Sequence, residues 1–166
     1  MTRGKTPRRK SYGPDADRAL DLWVALARCA ASVSRVSARD IQRYGLTQPQ
    51  FAVMEALHHL GPLPLWSIGE KLLVSSGNIT YLTDQLEECG WIACARSTTD
   101  RRVTLARLTS RGARLMTRCF PEHARAMTAA AEALSAREQM QLAGLLKKWG
   151  TAAASGKKGK KEKNET

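Results

Sequence analysis

The sequence predicts a mainly α fold carrying one small β-hairpin. Three observations predict it. Apolar residues recur at helical spacing over most of the chain. Helix start and stop signals punctuate that pattern. Only two short runs suit strands, and they are joined by the polar segment Ser97-Thr98-Thr99-Asp100-Arg101-Arg102.

The first helix is expected from Pro14-Asp15 to about Arg43. Leu20, Trp23, Val24, Ala27, Ala30 and Ala31 share helical spacing there, and neither Gly nor Pro interrupts them. At 1.5 Å rise per residue its length is about 43 Å, long for a small domain unless a partner covers it. Gly45 ends it. Thr47-x-x-Gln50 then has the form of a capping box, with Pro49 in the first turn, and Phe51, Met54, Ala56 and Leu57 form the buried side of helix two. Gly61-Pro62 stops that helix. A short third helix covers Leu65 to Leu73, with Trp66, Ile68, Leu72 and Leu73 apolar, and Val74-Ser75 makes a tight turn.

Ser75 or Ser76 caps the fourth helix, in which Ile79, Leu82 and Leu86 are expected in the core. Its other side shows Asn78, Thr80, Tyr81 and Asp84. Gly90 terminates it. Strands are expected over Trp91 to Arg96 and Val103 to Leu108. Thr109 or Ser110 caps helix five, which runs past a bend at Pro121 to Leu134. Ser135-x-x-Glu138 opens helix six, which is expected to reach Trp149 and stop at Gly150.

The order helix, short turn, helix, hairpin is that of a winged helix-turn-helix. Its chemistry suits DNA. Ser75, Ser76 and Gly77 are small groups at a helix N-terminus, where unpaired N–H groups attract phosphate. Small residues there let the helix enter a major groove, leaving Asn78, Thr80 and Tyr81 to meet base edges. In the hairpin, Arg96, Asp100, Arg101 and Arg102 form the wing set. An arginine at the end of a rigid arm can enter a narrow minor groove, and Asp100 can orient the Arg102 guanidinium through a planar ion pair. Taken alone, that pair would be no more than an exposed turn contact.

Charge points the same way. The 166 residues carry a net charge of +12. Residues 1–10 hold +5 and residues 156–166 hold +3, which leaves +4 for the body. Basic arms on a mildly basic body suit a polyanion partner, nucleic acid first, although either arm alone reads equally well as a solubilising tail. No apolar run is long enough to span a membrane. The basic N-terminus is not read as a secretory signal, and four scattered cysteines fit reduced thiols in a cytoplasm.

Residues 45 to 112 resemble the MarR (multiple-antibiotic-resistance regulator) family of bacterial transcription factors. The matching stretches are GLTQPQFAVMEAL (45–57), SIGEKLLVSSGNITYLTDQLEECGWI (67–92) and TDRRVTLARLTSRG (99–112). The distinctive parts are the Asp-x-Arg of the wing and the Leu-Thr-x-x-Gly of Leu108, Thr109 and Gly112. The resemblance extends in helix order over about residues 15 to 150.

The resemblance implies a homodimer whose helices one, five and six intertwine, with two winged helices on a pseudo-palindromic operator. It also implies a repressor released by a small phenolic or lipophilic ligand. The expected organisation is a basic disordered arm (1–14), a helical dimerisation lobe (15–46 and 110–150), a DNA-binding lobe (47–109) and a Lys-rich disordered tail (151–166). Apolar residues Leu115, Phe120, Met127 and Leu134 of helix five, with Met140, Leu142, Leu145, Leu146 and Trp149 of helix six, exceed the needs of one small domain.

The chain departs from the family pattern in places. Cys94 stands where many members carry Arg, leaving Arg96 to take over a phosphate contact, and Tyr81 stands where Arg is common. The family's peroxide-sensing cysteine position falls on Trp23, and the acid of its urate-responsive branch falls on Ala52.

Other readings are weighed beside this one. Trp23 and Trp66 are candidates to line a ligand pocket, against an ordinary core role. Cys29 is a candidate redox sensor, against inert packing. A non-specific architectural DNA binder is the remaining alternative. No metal or cofactor is expected, because the Cys89–Cys94 spacing and the adjacent His58 and His59 make no site. Neither a Gly-x-Gly-x-x-Gly nor a Ser/His/Asp arrangement points to an enzyme.

Overall fold

The computed structural model describes residues 10–155. The first nine residues of the expected basic arm and residues 156–166 of the expected tail lie outside them.

Helix α1 (Pro14–Gln42) is followed by α2 (Gln48–Leu60), β1 (Leu63–Pro64), α3 (Leu65–Leu72), α4 (Ser76–Glu88), β2 (Ile92–Arg96), β3 (Thr104–Leu108), α5 (Ser110–Ala130) and α6 (Ala136–Ser155). The chain divides into two compact units at Ala124/Arg125.

In the first unit the helix boundaries follow local chemistry. Thr47 and Gln50 form the full capping box of α2: the Gln50 N–H donates to Thr47 Oγ1 at 3.4 Å, and the Thr47 N–H donates to Gln50 Oε1 at 3.0 Å. Pro49 lies in the first turn. Ser75 caps α4, its Oγ accepting from the Asn78 N–H.

The sheet has three strands, not the two-stranded hairpin expected. Its order is β1-β3-β2, all antiparallel, with Leu63 opposite Ala106 on one side of β3 and Cys94 opposite Ala106 on the other. Pro62 and Pro64 hold the intervening residue extended, and a proline is tolerated on an edge strand. Two residues are too few to show a strand period, so the sequence carries no sign of β1.

Leu73 also differs from expectation. It does not continue the apolar face of α3 but takes the left-handed conformation (φ 55°) as the helix C-cap. The Val74 N–H then donates back to the Gly69 carbonyl at 3.0 Å, the wrap-around bond of such a cap. Leu73 is 93% exposed as a result.

The core joins the helix-turn-helix to its neighbours. Ile79, Leu82 and Leu86 of α4 pack with Met54, Ile68 and Ile92, as expected for α4. Leu115 and Phe120 correct one expectation. They belong to this same core rather than to a spare face of α5.

A polar network pins the end of α1 to α5. Buried Asp40 lies 3.3 Å from the Nδ1 of buried His123, and Arg43 pairs with both Asp40 and Glu122. The Tyr44 hydroxyl donates to Glu122 at 2.9 Å, and that bond is the main cause raising the Tyr44 pKa.

Leu22, Trp23, Val33 and Val36 of α1 stand exposed. In the second unit, α5 ends at Ala130 rather than Leu134, and Ser135 caps α6: its Oγ accepts from the Glu138 N–H at 3.4 Å. The Glu138 carboxylate accepts from both the hydroxyl and the N–H of Ser135, which lowers its pKa. Helix α6 runs past the expected stop at Gly150 to Ser155. The expected tail therefore begins with helix at residues 151–155. Thr151 is followed by three alanines, the strongest helix formers, which outweigh the single glycine. Met140, Leu142, Leu145 and Leu146 of α6 are all exposed.

Candidate nucleic-acid interface

Helix α4 presents one solvent face beginning at its N-terminus. Ser75, Ser76, Gly77, Asn78, Thr80 and Tyr81 are all exposed, while Ile79, Leu82 and Thr83 on the other side are buried. The alternation follows from one turn per 3.6 residues. A Cβ placed on Gly77 would meet nothing within 4 Å, so its lack of a side chain serves no internal packing. The Thr80 hydroxyl donates to the Ser76 carbonyl at 3.1 Å. With its proton so engaged, Thr80 offers only oxygen lone pairs and a methyl outward.

The wing is stiff at its tip. Ser97 N–H donates to the Val103 carbonyl at 2.8 Å and Val103 N–H donates to the Asp100 carbonyl at 2.9 Å. Ser97 Oγ accepts from the N–H groups of Thr99 and Asp100. Asp100 in turn accepts three bonds from one residue. Arg102 Nε donates to Oδ1 and Arg102 Nη2 to Oδ2, each at 3.2 Å, and the Arg102 N–H donates to Oδ1 at 3.0 Å. This is a fork-to-fork pair. The guanidinium, through its side-chain hydrogen bonds first, holds the Asp100 pKa below its ordinary value. The Arg102 side chain remains 91% exposed.

Arg96 and Arg101 line a surface groove of about 550 Å³ with Ser97 and Thr98. Arg96 Nη1 approaches the Arg101 carbonyl at 3.5 Å, which folds its guanidinium over the turn. Cys94 is half-buried in β2. Its N–H donates to the Glu87 carboxylate at 2.7 Å, and burial pushes its thiol pKa up.

The wing is joined to α5 at its base. Thr109 Oγ1 donates to the Gly90 carbonyl at 2.7 Å and accepts from the Gly112 N–H at 3.0 Å. Thr109 N–H donates to the Trp91 carbonyl at 3.0 Å. The Leu-Thr-x-x-Gly motif is thus a clamp between the end of α4, the start of β2 and the start of α5.

The two tryptophans do not share a groove. Trp66 lines one of about 370 Å³ between α3 and α4 with Gly69, Glu70, Leu73, Val74, Ser76 and Ile79. Trp23 is not part of that lining. Both are exposed, at 58% and 60%, so neither is a core residue within this chain. Cys29 is also exposed rather than packed. Among the described residues, no three metal-ligating side chains converge, and no helix is long and apolar enough to cross a membrane.

Sequence reasoning missed one part of this face. Gln50 Nε2 donates to Gln85 Oε1 at 3.3 Å, and Gln85 Nε2 donates to the Tyr81 hydroxyl oxygen at 2.9 Å. The 81/85 spacing signals the second bond, but nothing in the sequence signals the first.

A solvent-facing helix N-terminus beside a stiff, arginine-tipped hairpin defines a winged helix-turn-helix of the DNA-binding kind. The model of the MarR family matches residues 46–104. The chain is 37% identical over 137 residues to the HTH-type transcriptional regulator MhqR of Bacillus subtilis, covering 82% of this chain and 94% of that one. It therefore belongs to the MarR family of DNA-binding transcriptional regulators.

Its fold is similar to that of a mutant of MarR from Escherichia coli complexed with operator DNA. The TM-score is 0.73 and the identity 22%, over 82% of this chain and 98% of that one. The PcaV transcriptional regulator of Streptomyces coelicolor, in complex with its natural ligand, is similar at TM-score 0.65 and 26% identity. That match covers 75% of this chain and 90% of the other.

Proposed function

We propose that this regulator is a cytoplasmic homodimeric repressor of a pseudo-palindromic operator, released from DNA by a small phenolic or lipophilic ligand. The observation that carries the reading is the presentation of the exposed α4 face and the Asp100–Arg102 pair within one compact unit. Asn78, Thr80 and Tyr81 address base edges in the major groove, with Ser75, Ser76 and Gly77 allowing close approach. Arg102, held by Asp100, enters the adjacent minor groove, while Arg96 and Arg101 address phosphate.

Dimerisation is supported by the exposed apolar residues of α1 and α6, more than a lone chain leaves in water without cause. In that dimer, α1, α5 and α6 of the two chains build the shared lobe (15–46 and 110–150), and residues 47–109 build the DNA-binding lobe. Release by a ligand is supported by PcaV, solved with its natural ligand. Trp23 and Trp66 are the aromatic groups to test, each in its own setting.

Sedimentation at micromolar concentration is expected to give the mass of two chains, and one promoter fragment should survive competition by bulk genomic DNA. Single chains, or equal displacement of every fragment, would overturn the reading. The second outcome would favour the architectural alternative.

A further inference from the structure

The chain of amides from α2 to Tyr81 has a direction. It begins at the Thr47 backbone N–H, which can only donate, so the Gln50 atom that it meets at 3.0 Å is the carbonyl oxygen. The Gln50 NH2 group must then face Gln85, and the atom that receives it at 3.3 Å is the Gln85 carbonyl oxygen. That leaves the Gln85 NH2 group facing the Tyr81 oxygen at 2.9 Å. An amide NH2 has no acceptor capacity. The Tyr81 oxygen therefore accepts, and its own proton must point elsewhere. Among the described residues no protein group takes it. Tyr81 lies on the exposed face of α4, 61% accessible.

We infer that Gln50 and Gln85 act as positioning residues that set Tyr81 as a hydrogen-bond donor toward a base edge, a specificity determinant that discriminates against cytosine. The inference rests on α4 entering the major groove, as proposed above. There, guanine, thymine and adenine each present an acceptor (N7, O6 or O4), whereas cytosine presents only its N4 amino donor. On the strand that it faces, a donor fixed from behind finds an acceptor on the first three bases and none on the fourth. Thr80, its proton engaged with Ser76, shows the opposite polarity one residue away. The cap of α2 thus reaches the reading face through two glutamines, and the polarity of the last link depends on every earlier one.

The test is selection of bound sequences from random duplex DNA with the full chain and three variants. The wild type should select a motif in which cytosine is depleted about fivefold or more at one position per half-site, the size of one net hydrogen bond. Gln85→Glu keeps an oxygen for Gln50 but can only accept from Tyr81. The tyrosine proton turns inward, and preference at that position should shift to cytosine or adenine, whose amino groups donate. Gln85→Leu frees the hydroxyl to rotate and should relax the position. Tyr81→Phe, which removes only an exposed hydroxyl, should erase it. Other positions of the motif should stay unchanged in all three. A clear wild-type motif that is identical at every position in Gln85→Glu and Tyr81→Phe would overturn the relay while leaving the DNA reading intact. No wild-type motif at all would overturn both.

Discussion

Gly112 lies against the carbonyl of Trp91 so closely that a Cβ on it would fall 1.9 Å from that oxygen. The contact is backbone against backbone, and neither side can swing away. It holds α5 at the root of the wing, beside the Thr109 clamp.

Gly112→Ala should therefore destabilise the fold by at least about 2 kcal/mol, because the helix must shift off the strand. Denaturant melts check this. Gly77→Ala is the matched contrast. Its Cβ meets open space, so stability should hold or rise by under about 1 kcal/mol, yet DNA affinity should fall if, as proposed, the exposed start of α4 enters the major groove.

Arg102→Ala should weaken DNA binding, with retained affinity at matched salt counting against the minor-groove role. The pH dependence of the Asp100–Arg102 pair has a definite sign. The folded-state pKa of Asp100 is depressed by Arg102. The pair is thus complete above the ordinary carboxyl value of 3.8 and is lost only as pH falls below it. NMR titration of the Asp100 carboxyl should show no change between about pH 5 and 8. A midpoint above 3.8 would contradict the pairing.

Asp40 is buried against His123 and paired with Arg43. Asp40→Ala leaves the buried His123 ring nitrogen without its partner and should cost about 2 kcal/mol, read from thermal or denaturant unfolding. A loss under about 0.5 kcal/mol would show that the network does not tie α1 to α5.

Thiol chemistry distinguishes the redox alternative. Cys89 is exposed and lies outside the proposed dimer lobe, so it should alkylate first. Cys29, exposed in one chain, shares the α1 face of Leu22, Val33 and Val36 and should be shielded in the dimer. Cys119 is buried, and burial raises its pKa, so it should react last. Peroxide treatment should leave DNA affinity unchanged. A loss that disappears in Cys29→Ser would establish redox sensing instead.

What was legible in the sequence is what local chemistry decides. The Thr47/Gln50 and Ser135/Glu138 boxes place their helix starts to the residue, because capping is an exchange between groups three positions apart. The Asp100–Arg102 pair is likewise local. The features that were not legible depend on distant partners or on competition between weak preferences. The strand Leu63–Pro64 exists through β3, some forty residues away in sequence. Leu73 takes a left-handed cap that glycine would signal and leucine does not. The extension of α6 reflects three alanines against one glycine. Gln50 shows as a capping residue from its neighbours, but its second bond, to Gln85, appears only once α2 and α4 are packed together.

Footprinting on genomic DNA tests the central claim most directly: that this chain reads a specific duplex sequence through paired winged helices. The expected result is protection of one inverted repeat with half-site centres about 34 Å apart, abolished together with the repeat when either half is scrambled. Diffuse protection without a preferred site, or full protection of a single half-site by one chain, would contradict it.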